Sequence, residues 1–317
     1  MFILKFTIAT IIFYIWFSYD LDQIGRKNIP ITSIDYLNQI WTQPWVLSWE
    51  NSVDQDIQQI IQDIRTQQHQ ASDIVPQSTY AKKFQDTCAV YKDICNKIIF
   101  QWDISTYDQY AYLASITYII SQLDTFLKNV WLPLIQNTIK TINISATWWS
   151  RRWWSTWDTM YMNTEQIQTY AEFFEVFTHE LWHIVDLGVI NGVSRSKDKN
   201  FTEFDRIVFA LDDLSLEYYK ISWKSESIRS VLSQSEDFCS GYGMTNPFED
   251  FAECFNLYLN HNSYFVYLAK NNSALADKYN FFANIFDGYY LFWADIDLKT
   301  FANKRVTRRP RDTTRMR

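Results

Sequence analysis

The sequence predicts an α+β fold with a mainly helical N-terminal region, and three observations carry that prediction. Apolar residues recur at helical spacing between positions 52 and 130. Two short stretches after position 138 alternate in the manner of strands, and a long helical pattern follows them from Ile167 to Asp186. A helical block followed by strands and further helices is an α+β arrangement and not a regular βαβ succession.

Composition narrows the functional classes. With 47% hydrophobic and 21% charged residues, the 317-residue chain can bury a sizeable core, which excludes disordered, coiled-coil and collagen-like readings. The formal net charge of -7 argues against a specific nucleic-acid partner. That charge is uneven. Lys304 to Arg317 holds seven basic residues and one acid, so residues 301–317 read as a basic, disordered tail behind an acidic body. Phe6 to Phe17, behind Lys5, is a nearly continuous apolar run. It is short for a spanning helix and suits a signal peptide over residues 1–19, cleaved or kept as a membrane anchor. The expected location is secreted or membrane-anchored on the extracytoplasmic side.

Residues 20–135 form the helical region. Val53, Ile57, Ile60, Ile61 and Ile64 share one helical face. Residues 79–100 read as a second helix and 107–130 as a third, striped by Tyr112, Ile116, Ile119, Ile120, Leu123 and Leu127. Cys88 and Cys95 fall on one face of the second helix, and a straight helix holds them too far apart to bridge. Four cysteines without a CxxC suggest no cysteine metal cluster. A second domain spans 136–300. Its strands are Thr138 to Ile144 and Thr159 to Met162; its first helix, Ile167 to Asp186, has Asn163 or Thr164 as cap and ends at Gly188. Residues 193–200 read as a polar loop, and helices cover 205–220, 224–235, 247–260, 263–270 and 273–290.

Tryptophan and glycine are out of proportion, at 14 and 6 residues. Ordinary glycine usage of about 7% would give roughly 22 in a chain this long. Trp148, Trp149, Trp153, Trp154 and Trp157 crowd into a Ser/Thr/Arg segment that otherwise reads as a turn between strands. Some bacterial lineages read UGA as glycine, and a translation that reads it as tryptophan makes this trade. A truly Trp-rich chain is the alternative.

The sharpest chemical signal is His179-Glu180-Leu181-Trp182-His183. On a helix, residues i and i+4 share a face, so both imidazoles can reach one zinc ion, with Glu180 beside them to polarise a water. A catalytic zinc needs a third protein ligand and an open position. Val189 stands where some zinc peptidases place a third histidine, and His69 and His261 have no motif context; His261 reads as a surface or core residue. Downstream, Asn246 and Pro247 read as a helix start, after which Glu249 and Glu253 share a face. One of these carboxylates can bind zinc, and the other can accept the free N–H of a ligating imidazole.

These motifs together, His179 to Asp186 and Glu249-Asp250-Phe251-Ala252-Glu253, resemble those of the glutamate-liganded zincins. They are more closely similar to the catalytic domain of anthrax toxin lethal factor and its relatives, among them the proline–proline endopeptidases. The similarity covers residues 138–262. It implies a zincin-like metallopeptidase domain with Zn2+ as cofactor, in which His179, His183 and Glu249 are the ligands and Glu180 is the general base. It further implies that Glu253 supports a ligand, that Asp186 braces the helix or a ligand, and that Tyr242, seven residues before Glu249, faces the scissile carbonyl. The family usually has glycine where this chain has Trp182, and an indole there could obstruct close packing.

The activity implied is zinc-dependent endopeptidase hydrolysis of a protein or peptide substrate by a Glu-activated, zinc-bound water. The strand near 159–162 is expected to be the edge that pairs the substrate. The alternative is a catalytically degenerate zincin-fold protein that binds or is surface-anchored, a reading that rests on Trp182.

Overall fold

The structure, a computed structural model, describes residues 76–101, 104–126 and 138–147, then 152–291 except 157, 189, 191 and 204–206, then 310–315, with five positions between 55 and 61. The apolar segment assigned to residues 1–19 lies outside the described residues, as do Trp148, Trp149, Trp157 and residues 301–309. Ile57, Ile60 and Ile61 are helical and buried, as their shared face requires.

Beyond these residues, helix α1 (Gln77–Val90) stops at Tyr91, whose φ of -104° and ψ of 45° are not helical. A short α2 (Lys92–Cys95) resumes beyond it. This break corrects the expectation for the cysteines. Cys88 and Cys95 are joined by a disulfide with their Cα atoms 5.5 Å apart, because no straight helix separates them. Cys239 and Cys254 form a second disulfide.

The chain then enters β1 (Ile98–Gln101), returns through α3 (Thr106–Phe126), and forms β2 (Thr141–Ser145), β3 (Trp153–Ser155) and β4 (Thr159–Asn163). These four strands make one sheet in the order β1-β2-β4-β3. The first three in that order are parallel, with Ile98 opposite Ile142 and Ile142 opposite Met160; β3 runs antiparallel to β4. Ile142, Ile144, Met160 and Met162 turn into the core while the strand residues between them are half-buried, the period-two pattern of a strand.

Two expectations change here. The helical region 20–135 contributes β1 to the sheet, so residue 135 separates no packing unit among the described residues. The strand near 159–162 is not the edge, because β4 is paired on both sides. Among the described residues the edge on that side is β3, which the sequence hid inside its tryptophan-rich segment.

Helix α4 (Tyr170–Gly188) packs against β3 and β4, against α3, and against α6 (Pro247–Asn260). It starts later than the sequence suggested. Residues 164–166 form a 3-10 turn, and the Thr169 hydroxyl accepts from the Glu172 amide at 3.0 Å. Every residue from Glu172 to Asp186 is buried, so the helix runs through the interior.

Downstream, the expected loop at 193–200 and helix from 205 are replaced by β5 (Lys197–Glu203) and β6 (Ile207–Ala210), an antiparallel pair, and by the shorter α5 (Leu214–Ser222). The expected helix at 224–235 is instead the hairpin β7 (Trp223–Ser225) and β8 (Ile228–Arg229). Its apolar residues do not form a buried stripe, since Val231 and Leu232 are 91% and 85% exposed. Helices α6 and α7 (Asn262–Ala269) match their expected positions, and α8 (Ser273–Ile285) starts where expected but stops five residues short of 290. Residues 310–315 run back into the body, with Thr313 and Thr314 fully buried. That part of the basic segment is therefore not a solvated tail.

Trp182 is fully buried between α4, α6 and α8. Its ring lies 3.7 Å from that of Phe255 and within 6.0 Å of those of Phe251, Phe282 and Phe286. The indole fills an aromatic layer and obstructs nothing. If UGA specifies glycine at this codon, the native peptide spanning His179 to His183 is expected to be lighter by the indole when weighed by mass spectrometry. A native peptide of full tryptophan mass would end the recoding hypothesis.

Candidate metal centre

One turn of α4 separates His179 from His183, and burial holds both imidazoles on the face turned toward the start of α6. The Asn246 side chain accepts from the Glu249 amide at 2.9 Å, and Pro247 occupies the first turn, where it has no N–H to leave unpaired. Glu249 is thereby fixed at the helix N-terminus, where the backbone dipole favours a carboxylate.

His179 Nε2 lies 3.2 Å from His183 Nε2 and 3.2 Å from Glu249 Oε2; His183 Nε2 and Glu249 Oε2 are 3.5 Å apart. Zinc bound to nitrogen or oxygen at about 2.0–2.1 Å in a tetrahedron separates its ligands by about 3.3–3.4 Å. The three atoms thus have the spacing of one face of such a tetrahedron. His179, Glu180 and His183 also form a buried cluster whose donor atoms lie within 4.8 Å of one another, close enough to hold a metal ion.

Charge points the same way. Glu180 and Glu253 are buried, and Glu249 is largely so, beside two imidazoles. Carboxylates in such a place are costly without compensating positive charge. Burial opposes protonation of His179, yet hydrogen bonds and charge from Glu249 and Glu253 raise its pKa well above the ordinary value. Burial likewise opposes ionisation of Glu249, but His183 and His179 hold it well below the usual carboxylate range. The pocket stabilises positive charge where the two Nε2 atoms converge.

The remaining residues surround this triangle. His179 Nδ1 stands 3.1 Å from Glu253 Oε1, and Glu253 Oε2 accepts from the Thr313 amide at 2.8 Å. A proton on Nδ1, facing that carboxylate, leaves the Nε2 lone pair free for a metal. Tyr242 OH donates to Glu249 Oε1 at 2.9 Å, and its ring lies 6.1 Å from that of His179. Glu180 hydrogen-bonds the Ser155 side chain on edge strand β3; burial raises its pKa, with His183 and His179 opposing. Its Oε2 has no hydrogen-bond partner among the described residues. Asp186 accepts from Ser215 Oγ and Tyr219 OH, and so ties α4 to α5. His261 is buried 3.0 Å from Glu175, a core residue.

The Cys239–Cys254 bond closes the stretch that carries Tyr242, Asn246, Glu249 and Glu253. A loop of about 15 residues closed this way gains roughly 3 kcal/mol of stability in the chain-entropy account. Sequence reasoning missed two contributors. Ser155 sat in the segment read as a turn, and Thr313 acts through its backbone amide, which no residue type reveals. Compared with models of known protein families, with curated proteins and with solved structures, the chain matches none of them.

Proposed function

We propose that the protein is a zinc-dependent endopeptidase of the zincin type, with His179, His183 and Glu249 as ligands. The observation that carries the reading is the triangle of two imidazole nitrogens and one carboxylate oxygen at 3.2, 3.2 and 3.5 Å, with Glu180 beside it. Bound zinc would supply Lewis acidity and lower the pKa of a coordinated water toward neutrality. Glu180 is placed to take the proton of the attacking water and return it to the departing amine. Its burial favours this role, since it moves the carboxyl toward the pH at which a general base works best. Glu253 orients His179. Tyr242, once its hydroxyl turns from Glu249, donates a hydrogen bond to the oxyanion that develops on the scissile carbonyl.

Edge strand β3, paired on one side only among the described residues, offers an extended peptide a backbone row beside α4, and we take it as the substrate rail. Two disulfides suit an oxidising compartment, in keeping with a secreted or extracytoplasmic protein. Among the described residues, no helix is long and apolar enough to cross a membrane. The degenerate-site alternative loses its motive, because the Trp182 indole lies in the aromatic layer and Glu180 is present.

The direct test is a peptide library digested by zinc-loaded protein. Cleavage that a chelator stops and zinc restores is expected, with one zinc per chain; no cleavage at any stoichiometry would count against the reading. Tyr242→Phe is expected to lower kcat about 10²–10³-fold, the range for losing one oxyanion donor, with a smaller change in KM. Equal losses of substrate affinity and none of kcat would reassign Tyr242 to binding.

A further inference from the structure

Residues 310–315 touch both groups that frame the candidate centre, from far away in sequence. Thr313 N donates to Glu253 Oε2 at 2.8 Å across a separation of 60 residues, and Glu253 Oε1 faces His179 Nδ1 at 3.1 Å. The same segment pairs with the backbone around Tyr242: Gly241 N donates to Pro310 O at 3.0 Å and Tyr242 N to Arg311 O at 2.8 Å. Its anchors lie elsewhere. Asn256 Nδ2 donates to Thr313 Oγ1 at 3.1 Å, Asp312 pairs with Arg152 next to β3, and Arg315 pairs with Glu172 on α4 at 3.4 Å. Thr313 and Thr314 are fully buried, so these bonds are shielded from water.

We infer that residues 310–315 form a positioning strap for the metal centre, holding the Glu253 carboxylate against His179 and the Tyr242 loop over Glu249. The inference rests on the zinc reading above. A fully buried carboxylate keeps its orientation only while its oxygens have partners. Here one oxygen faces the imidazole and the other is held by the strap's amide. Loss of that amide frees the carboxylate to turn away, and the His179 ring loses the partner that fixes its tautomer and raises its basicity. Thr313 is a positioning residue and not a catalytic one, because it acts through Glu253. The strap also explains why a basic segment is drawn into the body, since Asp312, Arg152, Glu172 and Arg315 form a chain of ion pairs that alternates in sign.

The test is Thr313→Pro in the full chain, which deletes the donor N–H. Thr313 opens a short 3-10 turn, a first position where proline's fixed φ is tolerated. Competition with a chromophoric chelator should show zinc bound about 10–100-fold more weakly, the usual cost of losing a partner of a ligating histidine. Thr313→Ala keeps the amide and should lose about fivefold or less, the worth of one side-chain hydrogen bond. In a Glu253→Ala background the proline should add less than about twofold, because the two changes remove one interaction. A merely structural role would instead add its full cost in that background.

Should Thr313→Pro fail to melt cooperatively, hydrogen exchange on the unaltered chain decides. By linkage, zinc must protect the strap to the extent that the strap favours zinc. Slowed exchange of the 311–315 amides on adding zinc supports the proposal, and unchanged exchange overturns it. Wild-type zinc affinity in Thr313→Pro also overturns it, as does a proline effect undiminished by Glu253→Ala. Those outcomes leave the metal site standing, whereas an unaltered chain that binds no zinc overturns both readings.

Discussion

Glu180→Gln is expected to lower kcat by about 10²–10⁴-fold, the range attributed to a positioned general base, while leaving the fold and the zinc stoichiometry intact. The substitution preserves size, and an amide can still hydrogen-bond the Ser155 side chain that meets Glu180 on β3. What it removes is the ability to accept a proton. In this buried place nothing else described is as well positioned to do so: His179 and His183 converge on Glu249, and Glu253 is engaged by His179 Nδ1 and the Thr313 amide. Steady-state kinetics on zinc-loaded protein, with metal content measured on the same sample, separates the effects. A rate within tenfold of the unaltered chain would remove Glu180 from the mechanism, and lost zinc would make it a ligand.

The parts of this site that could be read from the sequence are those whose geometry is local. An i, i+4 histidine pair needs only a helix, and Asn246-Pro247 marks a helix start whatever lies around it, so His179, His183 and the face shared by Glu249 and Glu253 were legible. The choice between those two glutamates was not. Resemblance favours Glu249, and only the folded chain sets the two apart: Glu249 Oε2 lies 3.2 and 3.5 Å from the two Nε2 atoms, while Glu253 faces Nδ1 on the far side of the His179 ring. Edge strand β3 was hidden because three residues show too little alternation to stand out among tryptophans. The Cys88–Cys95 bond was hidden by a single non-helical residue, Tyr91, inside a periodic stretch. Strand β1 was absorbed into the same stretch, and with it the fact that the sheet begins before residue 135. The strap was the least legible. Its bonds to Glu253, Gly241 and Tyr242 come from backbone atoms, and its arginines read as a solvated end until Arg315 is seen beside the buried Glu172.

Glu249→Ala is expected to weaken zinc binding by more than about 100-fold, beyond the 10–100-fold that follows loss of a partner lying one bond further out. The readout need not involve activity. A ligand that binds only the folded chain, present at a hundredfold excess over its Kd, stabilises that chain by roughly 2.7 kcal/mol. For a domain of this size that corresponds to a rise in Tm of about 5–10 °C. The unaltered chain and Glu180→Gln should both show the rise, reversed by a chelator, while Glu249→Ala should show little of it. The comparison is informative because both changes remove a negative charge from the same pocket. If zinc were held by diffuse electrostatics, the two variants would lose affinity alike. If it is held by a directed oxygen 3.2 and 3.5 Å from the two Nε2 atoms, only Glu249→Ala loses it. Equal shifts in all three proteins would instead move the third ligand to Glu253, which would have to leave both His179 Nδ1 and the Thr313 amide to reach the metal.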